Sequence, residues 1–143
     1  MKTIREVLAA KGSGVWTIGP KDSVFDALKL MAEKEVGALL VAEGEKILGM
    51  FSERDYARKV ILKGLSSPLT SVEAVMTTRV VYAQPDQTIE EAMALMTEKR
   101  IRHLPVLEND KLAGVRSIGD VVKAAIAERE FMIGQLENYI ATG

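Results

Sequence analysis

The feature that most constrains this chain is a gapless internal repeat. Residues Val15 to Arg58 align with Val80 to Lys123 at a constant offset of 65, and 14 of the 44 positions are identical. The matches include Pro20/Pro85, Ala27/Ala92, Leu30-Met31/Leu95-Met96, Gly49/Gly114, Ser52/Ser117 and Asp55/Asp120. Two copies are too few for a stacked solenoid, which needs about three repeats. They read instead as a closed pseudo-twofold pair in which each half completes the other's core. A weaker echo precedes each copy, where Thr3 to Leu8 parallels Ser71 to Met76 at a spacing of 68, the difference falling in Lys11-Gly12-Ser13-Gly14. Gly64-Leu65-Ser66-Ser67-Pro68 has linker composition. The expected division is 1–64 for repeat one with its N-terminal helix, 65–126 for repeat two, and 127–143 for an extension of the last helix.

Within each copy the hydrophobic period changes in a fixed order. Val15 to Ile18 and Val80 to Ala83 are short β-rich runs, each followed by a proline. Val24, Ala27, Leu28 and Met31, and likewise Ile89, Ala92, Met93 and Met96, recur at helical spacing behind the capping pairs Ser23/Asp26 and Thr88/Glu91. Ala38 to Ala42 with Ile47 to Phe51, and His103 to Leu107 with Leu112 to Arg116, form strand pairs around polar turns, and a helix opens at Ser52 and at Ser117. The unit is β-α-β-β-α, and the fold class is α/β in the broad sense, α+β by segregation. The last helix runs from about Ile118 to Ile140, with an apolar stripe through Val122, Ala125/Ile126, Met132/Ile133, Leu136 and Tyr139/Ile140 that outlasts the repeat. That stripe is expected to cover the domain or a second chain. Trp16 is expected in the core.

Composition excludes several classes of function. The chain has no cysteine and one histidine, His103, so thiol chemistry, disulfides and a two-histidine zinc site are not available. No metal and no covalent cofactor are expected. The net charge of −1 provides no field for nucleic acid. No apolar run approaches the roughly 20 residues that span a bilayer, and Met1 to Glu6 has no secretory pattern, so a cytoplasmic protein without membrane contact is expected.

Gly49-Met50-Phe51-Ser52-Glu53-Arg54-Asp55 and Gly114-Val115-Arg116-Ser117-Ile118-Gly119-Asp120 both read G-x-x-S-x-x-D at a strand-to-helix junction. Two readings stand side by side. Ser-x-x-Asp is a capping box. The same geometry suits an anionic ligand: glycine admits close approach to the backbone, the helix N-terminus attracts negative charge, Ser reaches a phosphate, and Asp accepts from vicinal ribose hydroxyls. Arg54 and Arg58 in repeat one, and Arg102, Arg116 and Lys123 in repeat two, could offset the carboxylate's charge. His103 has no nucleophile partner, so no catalytic residue is assigned and the chain is not expected to be an enzyme.

The tandem repeat of about 65 residues, each ending in G-x-x-S-x-x-D, resembles a pair of cystathionine β-synthase (CBS) domains, a Bateman module. Ser52 to Lys59 and Arg102-His103-Leu104-Pro105-Val106 are similar to the small stand-alone bacterial members. The resemblance covers nearly the whole chain. It implies a non-enzymatic regulatory or sensor module that binds an adenosine ligand of the AMP, ATP, NAD or S-adenosylmethionine class between its repeats, dimerises, and signals energy or redox state to an unnamed downstream protein. By that resemblance Ser52, Arg54 and Asp55, with Ser117, Asp120, Arg102, His103 and Arg116, take ribose and phosphate. Thr17, Ile18, Ala38 and Met50, with Tyr82, Ala83 and Val115, line the adenine slot. Repeat two carries the family's usual proline at Pro105 where repeat one has Leu40, which implies two non-equivalent sites. The more basic neighbourhood of Arg102 and His103 is expected to hold phosphates better. The alternative is a structural or oligomerisation module whose G-x-x-S-x-x-D segments only cap helices; a third reading is a detached regulatory piece of an enzyme.

Overall fold

Ser23 and Thr88 open the two central helices, α2 (Val24–Lys34) and α5 (Ile89–Lys99), by accepting from the backbone N–H three residues on. Both helices close on a left-handed residue at equivalent positions, Glu35 (φ 56°) and Arg100 (φ 54°), whose N–H groups bond back to the last turn. The computed structural model describes residues 2–11 and 16–142, so Val15 and Gly12-Ser13-Gly14 lie outside the described residues. The remaining elements are α1 (Ile4–Lys11), β1 (Thr17–Ile18), β2 (Ala38–Glu43), β3 (Lys46–Ser52), a helical turn α3 (Glu53–Asp55) continued as a π-helix over Tyr56–Ile61, α4 (Val72–Val75), β4 (His103–Glu108), β5 (Lys111–Ser117) and α6 (Ile118–Thr142). Among the described residues no helix is long and apolar enough to cross a membrane.

The chain packs as two units, and their boundaries are not those of the repeats. One unit is Val15–Val80; the other joins Met1–Gly14 to Val81–Gly143. The sequence repeats and the packing units therefore differ by an exchange of the segments that precede each repeat. The segment that precedes repeat two packs into repeat one, where Val72 and Val75 are buried with Val24, Ala27, Phe51 and Val60. The segment that precedes repeat one packs into repeat two, where Ile4 and Val7 are buried with Ile89, Ala92, Leu104 and Val121. The cause is a matched pair of docking bonds at the loop before each central helix. Ile4 N–H donates to Gln87 and Arg5 N–H to Pro85, as Val72 N–H donates to Asp22 and Glu73 N–H to Pro20. Arg5 also bridges Asp86 and Glu108, whose hydrogen bonds raise its pKa, the Glu108 bond most.

In the unit built on repeat one, β1 runs parallel to β2 (Thr17↔Leu40, Ile18↔Val41) and β2 antiparallel to β3. In the other, β4 and β5 pair antiparallel with the same register and the same bulge position. The expected strand Val80 to Ala83 is absent and is reduced to one parallel bridge, Ala83↔Val106. The reason is chemical. In repeat one Leu40 N–H donates to Trp16, but the equivalent residue in repeat two is Pro105, which has no N–H, so the ladder begins one residue later. Trp16 is also not a core residue. It is 40% exposed, with the Lys34 ammonium 4.4 Å above its ring.

Candidate functional site

Both G-x-x-S-x-x-D segments sit where a hairpin runs into a helix, and in both the capping box forms. Ser52 is the last residue of β3, with extended φ/ψ, and its Oγ accepts from Asp55 N–H at 3.2 Å while Ser52 N–H donates to Asp55 Oδ2 at 3.0 Å. Ser117 N–H donates to Asp120 Oδ2 at 3.3 Å and Asp120 N–H to Ser117 Oγ at 3.2 Å. The serines are half-buried, and their hydroxyls stand at the first turn of the following helix.

The two aspartates differ in their surroundings. Asp55 is only 6% exposed. Besides Ser52 N–H, its Oδ2 accepts from Ser52 Oγ at 3.2 Å; its Oδ1 accepts from Thr77 Oγ1 at 2.9 Å and pairs with Lys59 Nζ at 3.1 Å. An ionised carboxylate offers about four acceptor positions, so this one is filled from within its own unit. A ribose diol reaches Asp55 only by exchanging with Thr77 or Lys59. Asp120 is half-buried, and its charge acts on Arg116.

Gly49 also has a different task from the one expected. A Cβ there would lie 2.5 Å from the carbonyl oxygen of Thr77, whose backbone pairs with Met50 in both directions. In repeat one the close approach that glycine permits is taken by the chain's own backbone. Neither Thr77 nor Lys59 was a sequence candidate. Lys59 was within reach, since i and i+4 face each other on a helix. Thr77 gave no signal, because its counterpart at the spacing of 68 is Ala9.

Around each serine the register brings several candidates together. Ala38 lies opposite Ser52, and Glu53 N–H donates to Gly37. His103 lies opposite Ser117, and Ile118 N–H donates to Arg102. Met50 is opposite Leu40 and Val115 opposite Pro105, each half-buried. Thr17 is exposed and Ile18 half-buried on β1; Ala83 is fully buried, and Tyr82 is half-buried, its hydroxyl pKa pushed up by burial. Arg54 and Arg102 are exposed on either side of these junctions.

Arg116 is the exception. Its position is equivalent to Phe51, and on both strands this residue points to the core side. Arg116 is 3% exposed and donates to Val115 O at 2.7 Å and to Leu8 O at 3.4 Å, near the C-terminal end of α1. Burial lowers its pKa and the charge of Asp120 works against that shift. It is a helix C-terminal contact in the core, apart from the Ser117 face. Arg116→Phe, which copies repeat one, is expected to leave the melting temperature unchanged or raise it, whereas Arg116→Ala lowers it by several degrees, as seen by calorimetry.

An open cleft of about 400 Å³ lies by the first junction, lined by Leu28, Met31, Ala32, Glu35, Val36, Gly37 and Glu53. Its charged groups, Glu35 and Glu53, are both acidic. It suits an apolar or cationic group better than a phosphate.

The sequence profile of the CBS domain matches residues 4–62 and 72–127. The chain belongs to the CBS-domain family. A CBS-domain protein from Burkholderia ambifaria, described as of signal-transduction type, superposes with a TM-score of 0.86 at 53% identity, over 88% of this chain and 95% of that one. The mitochondrial CBS domain-containing protein CBSX3 of Arabidopsis thaliana is 39% identical over 99% of this chain and 73% of its own length. A CBS-CP12 protein from bloom-forming cyanobacteria, described as hexameric, gives a TM-score of 0.74 at 29% identity, over 84% of this chain and 70% of that one. This chain is a tandem CBS-domain protein.

Proposed function

We propose that this CBS pair is a non-catalytic sensor that binds an adenosine ligand of the AMP, ATP or NAD class and passes its presence to a partner protein through a change of conformation. The observation that carries the reading is the repeated strand-to-helix junction, where a half-buried serine hydroxyl and an aspartate stand together at a helix start. Ser117, Asp120, Arg102 and His103 form the stronger phosphate-and-ribose group, with Tyr82, Ala83 and Val115 on the adenine side. Ser52, Arg54 and Asp55, with Thr17, Ile18, Ala38 and Met50, form the weaker one, because Gly37 and Ala38 stand where repeat two has Arg102 and His103. Arg116 is left out, being committed to the core. A ligand acts as a signal only through different affinities for two states of the protein.

The test is thermal melting with AMP, ADP, ATP, NAD and S-adenosylmethionine. A ligand at 100 times its Kd stabilises by about 2.7 kcal/mol, which is several degrees for a chain of this size. Asp120→Ala is expected to abolish the shift and Asp55→Ala to reduce it less. If no adenosine compound moves the transition, the capping boxes are structural and the module serves assembly alone. That second reading is favoured in repeat one by the filled Asp55 carboxylate.

We also propose a homodimer, on the exposed apolar residues of α6. The hexameric cyanobacterial CBS-CP12 protein is a precedent for assembly in a related fold. Sizing from low to high micromolar concentration is expected to show a dimer.

A further inference from the structure

The segment of linker composition that follows the π-helix is folded into the Val15–Val80 unit. Gly64, at φ 70°, turns the chain back. Leu65 N–H then donates to Val60 O at 3.0 Å, Leu69 N–H to Ser66 O at 3.2 Å and Thr70 Oγ1 to Ser66 O at 2.7 Å, while Ser67 O and Thr70 O accept from Phe25 and Val24 N–H at the start of α2. These bonds hold residues 62–70 against the first turn of α2, yet the apolar side chains point outward. Leu69 is 89% exposed and Leu62 78%, with Phe25, Ile61 and Leu65 at 45–57%. Repeat two has no counterpart, because the equivalent residues 127–134 continue α6 as helix. Five large apolar side chains at these exposures present on the order of 500 Å², the upper end of what one patch on a soluble monomer shows and a mark of a contact surface. Against a partner of equal area the total is on the order of 1,000 Å², the scale of a transient contact.

Charge selects the occupant. From Ala57 to Thr70 the chain carries Arg58, Lys59 and Lys63 and no acidic residue, in a protein of net charge −1. Lys59 is paired with Asp55, whereas Arg58 and Lys63 are exposed beside the apolar residues; next to Phe25 the charges of Asp26 and Lys29 cancel. Two outward cations are too few for an anionic lipid surface, which is recognised by clusters of about four to eight. A second copy of the same patch would bring like charges together, which is unfavourable. An acidic protein segment with an apolar face satisfies both the centre and the edge of the patch. We infer that Phe25, Ile61, Leu62, Leu65 and Leu69 form a docking surface for an acidic, apolar-faced segment of another protein, steered by Arg58 and Lys63. The inference goes beyond the adenosine-ligand reading and does not depend on it.

The test sets the full chain against two labelled helical peptides of about five turns, one with leucine on one face and glutamate on the other, the second with lysine in place of glutamate. Fluorescence anisotropy is expected to show micromolar binding of the glutamate peptide and binding of the lysine peptide about tenfold weaker. Leu62→Ser combined with Leu69→Ser is expected to weaken the glutamate peptide about tenfold while the melting temperature stays put, since both side chains are exposed. Arg58→Glu combined with Lys63→Glu is expected to reverse the preference between the two peptides. A glutamate peptide that does not bind, binding that survives the leucine exchanges, or a preference that does not reverse overturns the docking surface. So do two further results: phosphatidylglycerol vesicles that bind the chain through Leu62 and Leu69, which would make the patch a lipid contact, and loss of the dimer on sizing in the leucine variant, which would make it a contact between copies.

Discussion

Ile4→Ala is expected to cost about 2–5 kcal/mol, and to take that stability from repeat two rather than from the repeat that follows Ile4 in sequence. Ile4 is fully buried, in the cluster that holds Ile89, Ala92, Leu104 and Val121. Removing its branched side chain leaves a cavity beside Ile89 of α5, inside the cluster that repeat two builds. Native-state hydrogen exchange should show faster exchange of the amides in α5, β4 and β5, while those in α2, β2 and β3 keep their protection. Val72→Ala should do the reverse. Loss of protection confined to residues 24–52 in Ile4→Ala would mean that α1 belongs to repeat one. The same experiment bears on function, because a signal that shifts α1 or α4 reaches the repeat on the far side of the sequence boundary.

Much of this architecture is legible in the sequence because it is set by short-range chemistry. Ser23, Thr88, Ser52 and Ser117 cap the helices that their spacing to an acidic residue foretells, and the offset of 65 transfers each element from one repeat to the other. What the periodicity could not show is where long-range partners lie. The spacing of 68 aligns α1 with α4, but it cannot say which core each joins; that depends on backbone bonds at Pro20 and Pro85. The reduced first strand of repeat two could have been anticipated, since Pro105 visibly lacks the donor that Leu40 supplies. Arg116 misled because a basic residue one position from Ser117 suggests a phosphate contact, whereas strand alternation turns it to the opposite face, in the place of Phe51. The candidate site is legible in its serines and aspartates. It is not legible in Thr77, which reaches Asp55 across 22 residues.

Gly49→Ala is expected to be costly for the reason Thr77 was hidden. The added Cβ would meet Thr77 O at 2.5 Å and Met76 Sδ at 3.0 Å. The sulfur is part of a flexible side chain and can move, but the carbonyl cannot. It accepts from Met50 N–H at 2.9 Å while Thr77 N–H donates to Met50 O at 2.8 Å, so relief requires both bonds to break. Overpacking of this kind costs about 1–3 kcal/mol, and displacement of Thr77 also strips its hydroxyl from the buried Asp55 carboxylate, adding about 1 kcal/mol. The melting temperature should fall by several degrees, and the Met50 and Thr77 amides should lose exchange protection together. Thr77→Val removes the hydroxyl alone and should show only the smaller loss, with the Met50 pairing intact. Unchanged protection at Met50 and Thr77 in Gly49→Ala would show that the segment yields freely. In the ligand assay Thr77→Ala, which removes the hydroxyl without putting a methyl group in its place, uncovers Asp55, so any adenosine compound that gains affinity in it gains through the carboxylate that Thr77 had occupied.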